Sequence, residues 1–535
     1  MAESHLFVAM GNILNLRCDC WLAPTDQDLN IEATWTDAVA GLSEAANLTA
    51  GPSFRDGTIY AVAALDWPAN EPVPVFTSVP VGGVRSAIEL RPRIAAFLRE
   101  AARAVSEMPR RATAETREVP LLALPFFGTA AGGGDLQRGE IMRAILRTIL
   151  SELPTLGCDV VLVLQDEAAF ALAQDIRRSE SDYWLQLSRV HLDHAKALAH
   201  KARNGRLVPF LGSGVSITAG APSWDGLLGK LAESVGLDPG MAKQFRKLSP
   251  LDQANILQSL HESPPSNRVG ANESFGSLVS SFVRIERYGL APTLLARLPS
   301  DGAITLNYDS LFERACADAR LGRAVIPQDP REDETQAPAE TDSRWLLKLH
   351  GSVAQPDSIV LTRDDYLGFN ANREALSALV KAHLMTHHLL FVGFGLKDDH
   401  FHEIVHDVRR AMPNDHGSST SLGTVLTLNT DPLQELAWKE KLSFISMDYP
   451  FSSDPARTLE IFLDALTCYS TASHSYFLAP RYEGGLNMKE RQLRNEILKL
   501  KTLPAAVGES SVVGVIDEML RTLGWSENAS YDGEL

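Results

Sequence analysis

Short, largely apolar runs alternate with longer segments of helical periodicity along most of the chain. Residues 6–9, 20–23, 59–64, 73–79, 119–127 and 160–164 have the length and bulk of buried strands. Between them, 90–105 and 139–153 repeat apolar residues at spacings of three and four, which predicts helices. Strands that are apolar throughout, rather than at every second position, are those buried on both faces of a parallel sheet. The same alternation returns later, with strand-like runs at 207–211, 303–306, 345–349, 388–392 and 424–428, the last being the final clear strand. Pro209 weakens the strand reading of the first of these. Residues 224–235, 310–319 and 362–385 read as helices.

Between the two alternating stretches, 179–206 is polar and helical with one apolar face, as expected of a linker helix. The alternation ends near 469, and the remainder is expected to be a helical oligomerisation or lid segment. An acidic loop is expected at 331–343 and a frayed polar end at 526–535. The fold class is therefore α/β, with two parallel-sheet α/β domains and a helical C-terminal segment. The boundaries fall at 1–178, 179–206, 207–469 and 470–535.

Composition narrows the partners. The 535 residues include 50 Lys and Arg against 67 Asp and Glu, a formal charge of −17, so a general nucleic-acid surface is not expected. No apolar run is long enough to span a bilayer, and the acidic start lacks an export signal, so a cytoplasmic protein is expected. Five scattered cysteines suggest reduced thiols. They offer no spacing for a zinc site, so no metal is expected.

Polar and glycine residues gather where strands end. Gly212, Ser213, Gly214, Ser216 and Gly220 follow the run at 207–211; Asn307 and Asp309 follow 303–306; His350 follows 345–349; Gly393, Phe394 and Gly395 follow 388–392; Asn429 follows the last run. In an open parallel sheet, ligands bind beyond these carboxyl ends, and a glycine turn before a helix brings bare N–H groups to a pyrophosphate. Together these residues describe one dinucleotide-sized site. In the first domain, Gly128, Thr129, Gly132 and Gly133 form a second glycine-rich turn between strand and helix. His402-Glu403-Ile404-Val405-His406 spells a zinc-protease pattern. The apolar stripe of that helix runs through Phe401, Ile404, Val405, Val408 and Met412, however, which puts both histidines on a solvent flank.

The residues Gly11-Asn12-Ile13, Leu124-Pro125-Phe126-Phe127-Gly128-Thr129 and Gln165-Asp166 give the first domain a resemblance to macro domains. Asn12 stands where that family usually has aspartate, and Ala23-Pro24-Thr25-Asp26 replaces its asparagine-rich stretch. The resemblance implies a pocket at Asn12, Asp26, Gly128, Thr129, Gly132 and Gly133 for an ADP-ribose-derived signal nucleotide. A macro-like fold kept for structure or assembly is the alternative.

The second domain resembles the sirtuin family. Gly212-Ser213-Gly214-Val215-Ser216 with Ala219-Gly220-Ala221-Pro222 is similar to its first signature, Thr305-Leu306-Asn307-Tyr308-Asp309 to its second, and Leu349-His350-Gly351 to its third. The chain has no cysteine between Cys316 and Cys468, so the four-thiolate zinc ribbon of the deacylases cannot form. Together with Pro222-Ser223-Trp224 and Asp364-Asp365-Tyr366, this resembles the bacterial sirtuin-like NAD hydrolases of antiphage defence.

The resemblance implies NAD⁺ as substrate, with cleavage to nicotinamide and ADP-ribose and a role in abortive infection. Asn307 would orient water or ribose, His350 would be a general base with a near-neutral pKa, and Asp309 would fix the ribose or the loop. It further implies regulation through the macro-like domain, a homo-oligomer or a defence partner protein. An NAD-dependent protein deacylase or ADP-ribosyltransferase, and a non-catalytic nucleotide sensor, remain the alternatives.

Overall fold

The computed structural model describes residues 4–109, 111–129, 132–263, 273–327, 344–411, 421–448, 453–502 and 511–526. The acidic loop expected at 331–343, Met412, and all but the first residue of the expected frayed end lie outside these residues. The chain forms two compact units: Met1–Ser188 with Asp464–Leu535, and Arg189–Leu463. The helical stretch expected at 179–206 is divided between them, as Ser181–Trp184 in the first and Arg189–Arg203 in the second.

The first unit holds six strands: β1 (Leu6–Met10), β2 (Cys20–Thr25), β3 (Ala61–Ala63), β4 (Val73–Ser78), β5 (Leu121–Pro125) and β6 (Asp159–Leu164). Their order is β1-β6-β5-β2-β4-β3, parallel except where β3 runs against β4. β1 and β6 are buried at every position, which explains the apolar runs 6–10 and 160–164. The helices Arg91–Glu107 and Arg138–Leu156 supply the crossovers into β5 and β6, and Glu167–Ser179 follows β6.

The C-terminal segment is built into this unit. Asp464 Oδ2 accepts from His5 Nε2 at 2.9 Å, and both its oxygens are engaged by Arg177. Arg177 in turn donates to the Leu6 carbonyl at 2.9 Å. Burial alone would raise the Asp464 pKa, but Arg177 and His5 more than reverse this and hold it low. Further along, Tyr476 Oη donates to Asp175 at 2.9 Å, and buried Tyr482 bonds Asp166.

The second unit is a seven-stranded sheet built from β7 (Leu207–Leu211), β8 (Gly302–Thr305), β9 (Ala324–Ile326), β10 (Trp345–Lys348), β11 (His388–Val392), β12 (Gly423–Thr427) and β13 (Leu442–Ser446). The order is β13-β12-β11-β7-β8-β10-β9, and every pairing is parallel. Two edge strands, β9 and β13, were not expected, and β12 is not the last strand. β9 spans three residues, and β13 buries only Leu442 and Ile445 and carries two serines, so neither shows a continuous apolar run.

The strand expected at 207–211 forms despite Pro209, and it is central in the sheet. The Gly212 N–H and the Arg206 carbonyl both bond toward β11, so the Pro209 nitrogen faces β8. The β7–β8 ladder begins only at Phe210, so the missing N–H interrupts nothing there.

From β7 the chain builds outward through β8 and β10 on one side, then returns to β11 on the other. The reversal lies at β7 and β11, and the crevice beyond their carboxyl ends is the ligand position such sheets provide.

Candidate active site

The glycine loop after β7 and the loop after β11 pack backbone against backbone. Gly212 N–H bonds the Val392 carbonyl at 2.9 Å, and Gly214 N–H bonds the Gly393 carbonyl at 3.0 Å. A Cβ at Gly214 would come within 2.7 Å of the Gly393 Cα, and Gly393 has φ +65°. Packing therefore accounts for these three glycines. Gly395 differs, because a Cβ there would meet nothing within 4 Å. Ser213 and Gly220 are exposed in the same loop. Phe394 packs its ring against Phe210 and Phe401, with centroids 4.9 and 5.2 Å away, which leaves mainly its backbone for a ligand. Asn429 is exposed beyond β12.

Beyond β8 a polar chain fixes the loop. Asn307 Nδ2 donates to the Gly212 carbonyl at 3.1 Å and to Ser216 Oγ at 3.3 Å. Ser216 Oγ donates to Asp309 Oδ2 at 2.8 Å, while Asp309 Oδ1 accepts the Leu311 N–H at 3.0 Å. Buried Lys348 reaches under this turn, donating to the Asp309 carbonyl at 2.6 Å and to Glu313 at 2.5 Å. Asp309 thus shapes the loop. Asn307, with its Nδ2 anchored, presents an Oδ1 that carries no hydrogen bond among the described residues.

Lys348 pairs with Thr305, so His350 and Asn307 occupy corresponding positions past the ends of adjacent strands. His350 is 3 % exposed and lies against Tyr366, Phe369 and His400, with ring centroids 5.4, 5.9 and 5.9 Å away. Burial pushes its pKa down to about 4, although Asp398 pulls the other way. This corrects the near-neutral value expected for it: the imidazole is neutral at pH 7 and well below it. Its Nε2 is buried without a hydrogen-bond partner among the described residues, 3.7 Å from Asp398 Oδ2.

Asp398 stands at the start of the helix Asp399–Ala411, where its Oδ1 accepts the Phe401 N–H at 2.9 Å and its Oδ2 accepts from Tyr366 Oη at 2.8 Å. Asp398 and His400 were not singled out from the sequence. The signal available was their place just past a strand end, but the His402/His406 pattern stands beside them. Those two histidines are exposed, as the stripe predicts, and His402 Nε2 bonds the Leu396 carbonyl at 2.9 Å.

In the first unit, the expected pocket residues have local partners. Asn12 Oδ1 accepts the Leu14 N–H at 3.0 Å, and Asp26 accepts from the Asn30 backbone and side chain at 2.8 and 2.7 Å. Thr129 Oγ1 donates to the Phe126 carbonyl at 3.0 Å. The Gly132 carbonyl accepts the Val84 N–H at 2.7 Å, and a Cβ at Gly133 would come within 3.2 Å of the Gly83 Cα. Gly128 has φ +83° and packs beneath Leu90 and Val84. Close loop packing and positive φ account for Gly128 and Gly133 without a ligand, whereas a Cβ at Gly132 would make only an ordinary contact, 3.7 Å from Val79.

Asn307 and His350 lie past the ends of β8 and β10, within a segment that matches a known family model. Residues 301–446 match the SIR2-like domain. Among curated proteins, the chain is 29 % identical over 234 residues to defense-associated sirtuin 2 of Bacillus subtilis, covering 43 % of this chain and 22 % of the relative. It is 27 % identical over 215 residues to the NAD(+) hydrolase ThsA of Enterococcus faecium, covering 40 % and 42 %. The chain thus spans less than half the length of either relative. Among solved structures, the Oceanobacillus iheyensis macrodomain with MES bound aligns at 15 % identity and TM-score 0.23, over 33 % of this chain and 93 % of that one. The macro domain of ganglioside induced differentiation associated protein 2 aligns at 14 % identity and TM-score 0.23, over 35 % and 87 %. No described helix is long and apolar enough to cross a membrane.

Proposed function

We propose that the second unit hydrolyses NAD⁺ to nicotinamide and ADP-ribose. The observation that carries this reading is the pairing of Asn307 and His350 beyond adjacent strand ends, in the SIR2-like segment and beside the glycine loop. The nicotinamide ring of NAD⁺ already carries the positive charge, so its departure needs no acid. The C1′–N bond breaks with its electron pair passing to the ring nitrogen, which leaves neutral. The water oxygen bonds to C1′ through an oxocarbenium-like transition state, and its proton passes to His350. Asn307 Oδ1 orients the water or a ribose hydroxyl. Asp309 acts through Ser216 and the loop, as a positioning residue.

The biological role in this reading is NAD⁺ depletion in antiphage defence, supported by the names of the relatives. Such an activity must be held off until infection, through an oligomer, a partner protein or a nucleotide at the first unit.

Incubation of the purified chain with NAD⁺ alone and with an acetylated peptide tests the reaction class. Release of nicotinamide and ADP-ribose without peptide is the expected result. Nicotinamide release that requires the peptide would establish a deacylase instead.

A further inference from the structure

We propose that His350 Nε2, Asp398 and His400 Nδ1 form a site for a divalent cation of the zinc class. These three donor atoms lie within 4.8 Å of one another. Both nitrogens are buried and without a hydrogen-bond partner among the described residues, on residues 3 % and 9 % exposed. Such orphaned buried nitrogens are costly unless something fills the space between them. His350 Nε2 and Asp398 Oδ2 are 3.7 Å apart. Two donors on one tetrahedral zinc stand roughly 3–3.5 Å apart, so that pair needs little movement and the third donor closes in from within 4.8 Å.

The surroundings match what metal ligands need from their neighbours. His400 Nε2 lies 3.1 Å from the Tyr366 carbonyl, which only accepts, so the proton is on Nε2 and the lone pair on Nδ1 faces the site. Tyr366 Oη and the Phe401 N–H each hold one oxygen of Asp398. Tyr366 and Phe369 sandwich the His400 ring, with centroids 4.5 and 3.9 Å away, and fix its plane. Two imidazoles and one carboxylate suit zinc and its cobalt surrogate better than magnesium or calcium.

One consequence rests on the proposed reaction. A metal on Nε2 leaves the proton on Nδ1, so a loaded site removes His350 as a base. Zinc would then hold the hydrolase off.

The test is titration of the tag-free, chelator-treated full chain with Co²⁺ alone. The expected result is one tightly bound equivalent with a visible d–d band. Asp398→Asn and His400→Gln should abolish the band while near-ultraviolet dichroism reports a native fold. Tyr366→Phe should weaken binding by about tenfold or more. His402→Gln and His406→Gln should leave the band intact. A folded wild type without the band, a band that survives in both Asp398→Asn and His400→Gln, or one lost in His402→Gln would overturn the site. NAD⁺ turnover, with and without Zn²⁺, is read separately, so an inactive protein that still binds Co²⁺ contradicts the reaction and not the site.

Discussion

His350 shows how position changes the chemistry of a residue. Buried among aromatic rings, it is a base that stays deprotonated far into acid. An ordinary imidazole would lose about 90 % of its neutral form between pH 7.5 and 5.5, whereas His350 keeps nearly all of its own. The turnover rate should therefore change by less than about twofold over that interval, with the acid limb lying below pH 5. A rate profile falling through pH 6.5 would contradict the buried-base assignment.

The same burial affects stability. The folded pKa of His350 lies below the unfolded value, so the unfolded chain binds the extra proton. Stability from this group is full above about pH 6.5 and is lost as pH falls toward 4. His388, also lowered to about 4 by burial, acts in the same sense. Urea unfolding between pH 7 and 4.5 should show a shallower loss for His350→Gln than for the wild type.

At the scale of elements, the two strand-end loops divide the glycines by purpose. Gly214→Ala should destabilise the second unit by about 1–3 kcal/mol, because its Cβ must displace the backbone of Gly393. Gly395→Ala has open space and should leave the melting temperature within about a degree of wild type. If Gly395 borders the pyrophosphate, the same substitution raises KM for NAD⁺. An unchanged KM would remove Gly395 from the site.

The sequence alone identified the strand-end residues because motif order and strand ends are local features. It placed Asn307, Asp309 and His350 just past strand ends, and the pairing of β8 with β10 makes those ends neighbours. It could not separate glycines needed for packing from a glycine facing open space, since that depends on which loop lies opposite. The edge strands β9 and β13 escaped because three residues, or a run broken by serines, resemble loop. Asp398 escaped because its relation to His350 spans 48 positions and carries no local spacing.

At the scale of the whole molecule, the first unit closes only when the chain returns to it. The bond from His5 to Asp464 joins residues 459 positions apart. Nothing near either residue in sequence announces the other, and so the C-terminal segment read as a separate appendage. Asp464→Ala leaves buried Arg177 without its counter-charge and should cost about 3–5 kcal/mol, measured by denaturant unfolding of the full chain. A loss below about 1 kcal/mol would mean that solvent or another group replaces the carboxylate.

The account as a whole turns on Asn307 and His350 acting on one substrate. The most direct measurement is nicotinamide release from NAD⁺ by the full chain beside His350→Ala and Asn307→Ala, each checked for native dichroism. The predicted result is turnover by the wild type and a fall in kcat of about 10²–10⁴-fold in His350→Ala, with Asn307→Ala similarly impaired. Turnover undiminished in either variant, or none in the wild type, would contradict it.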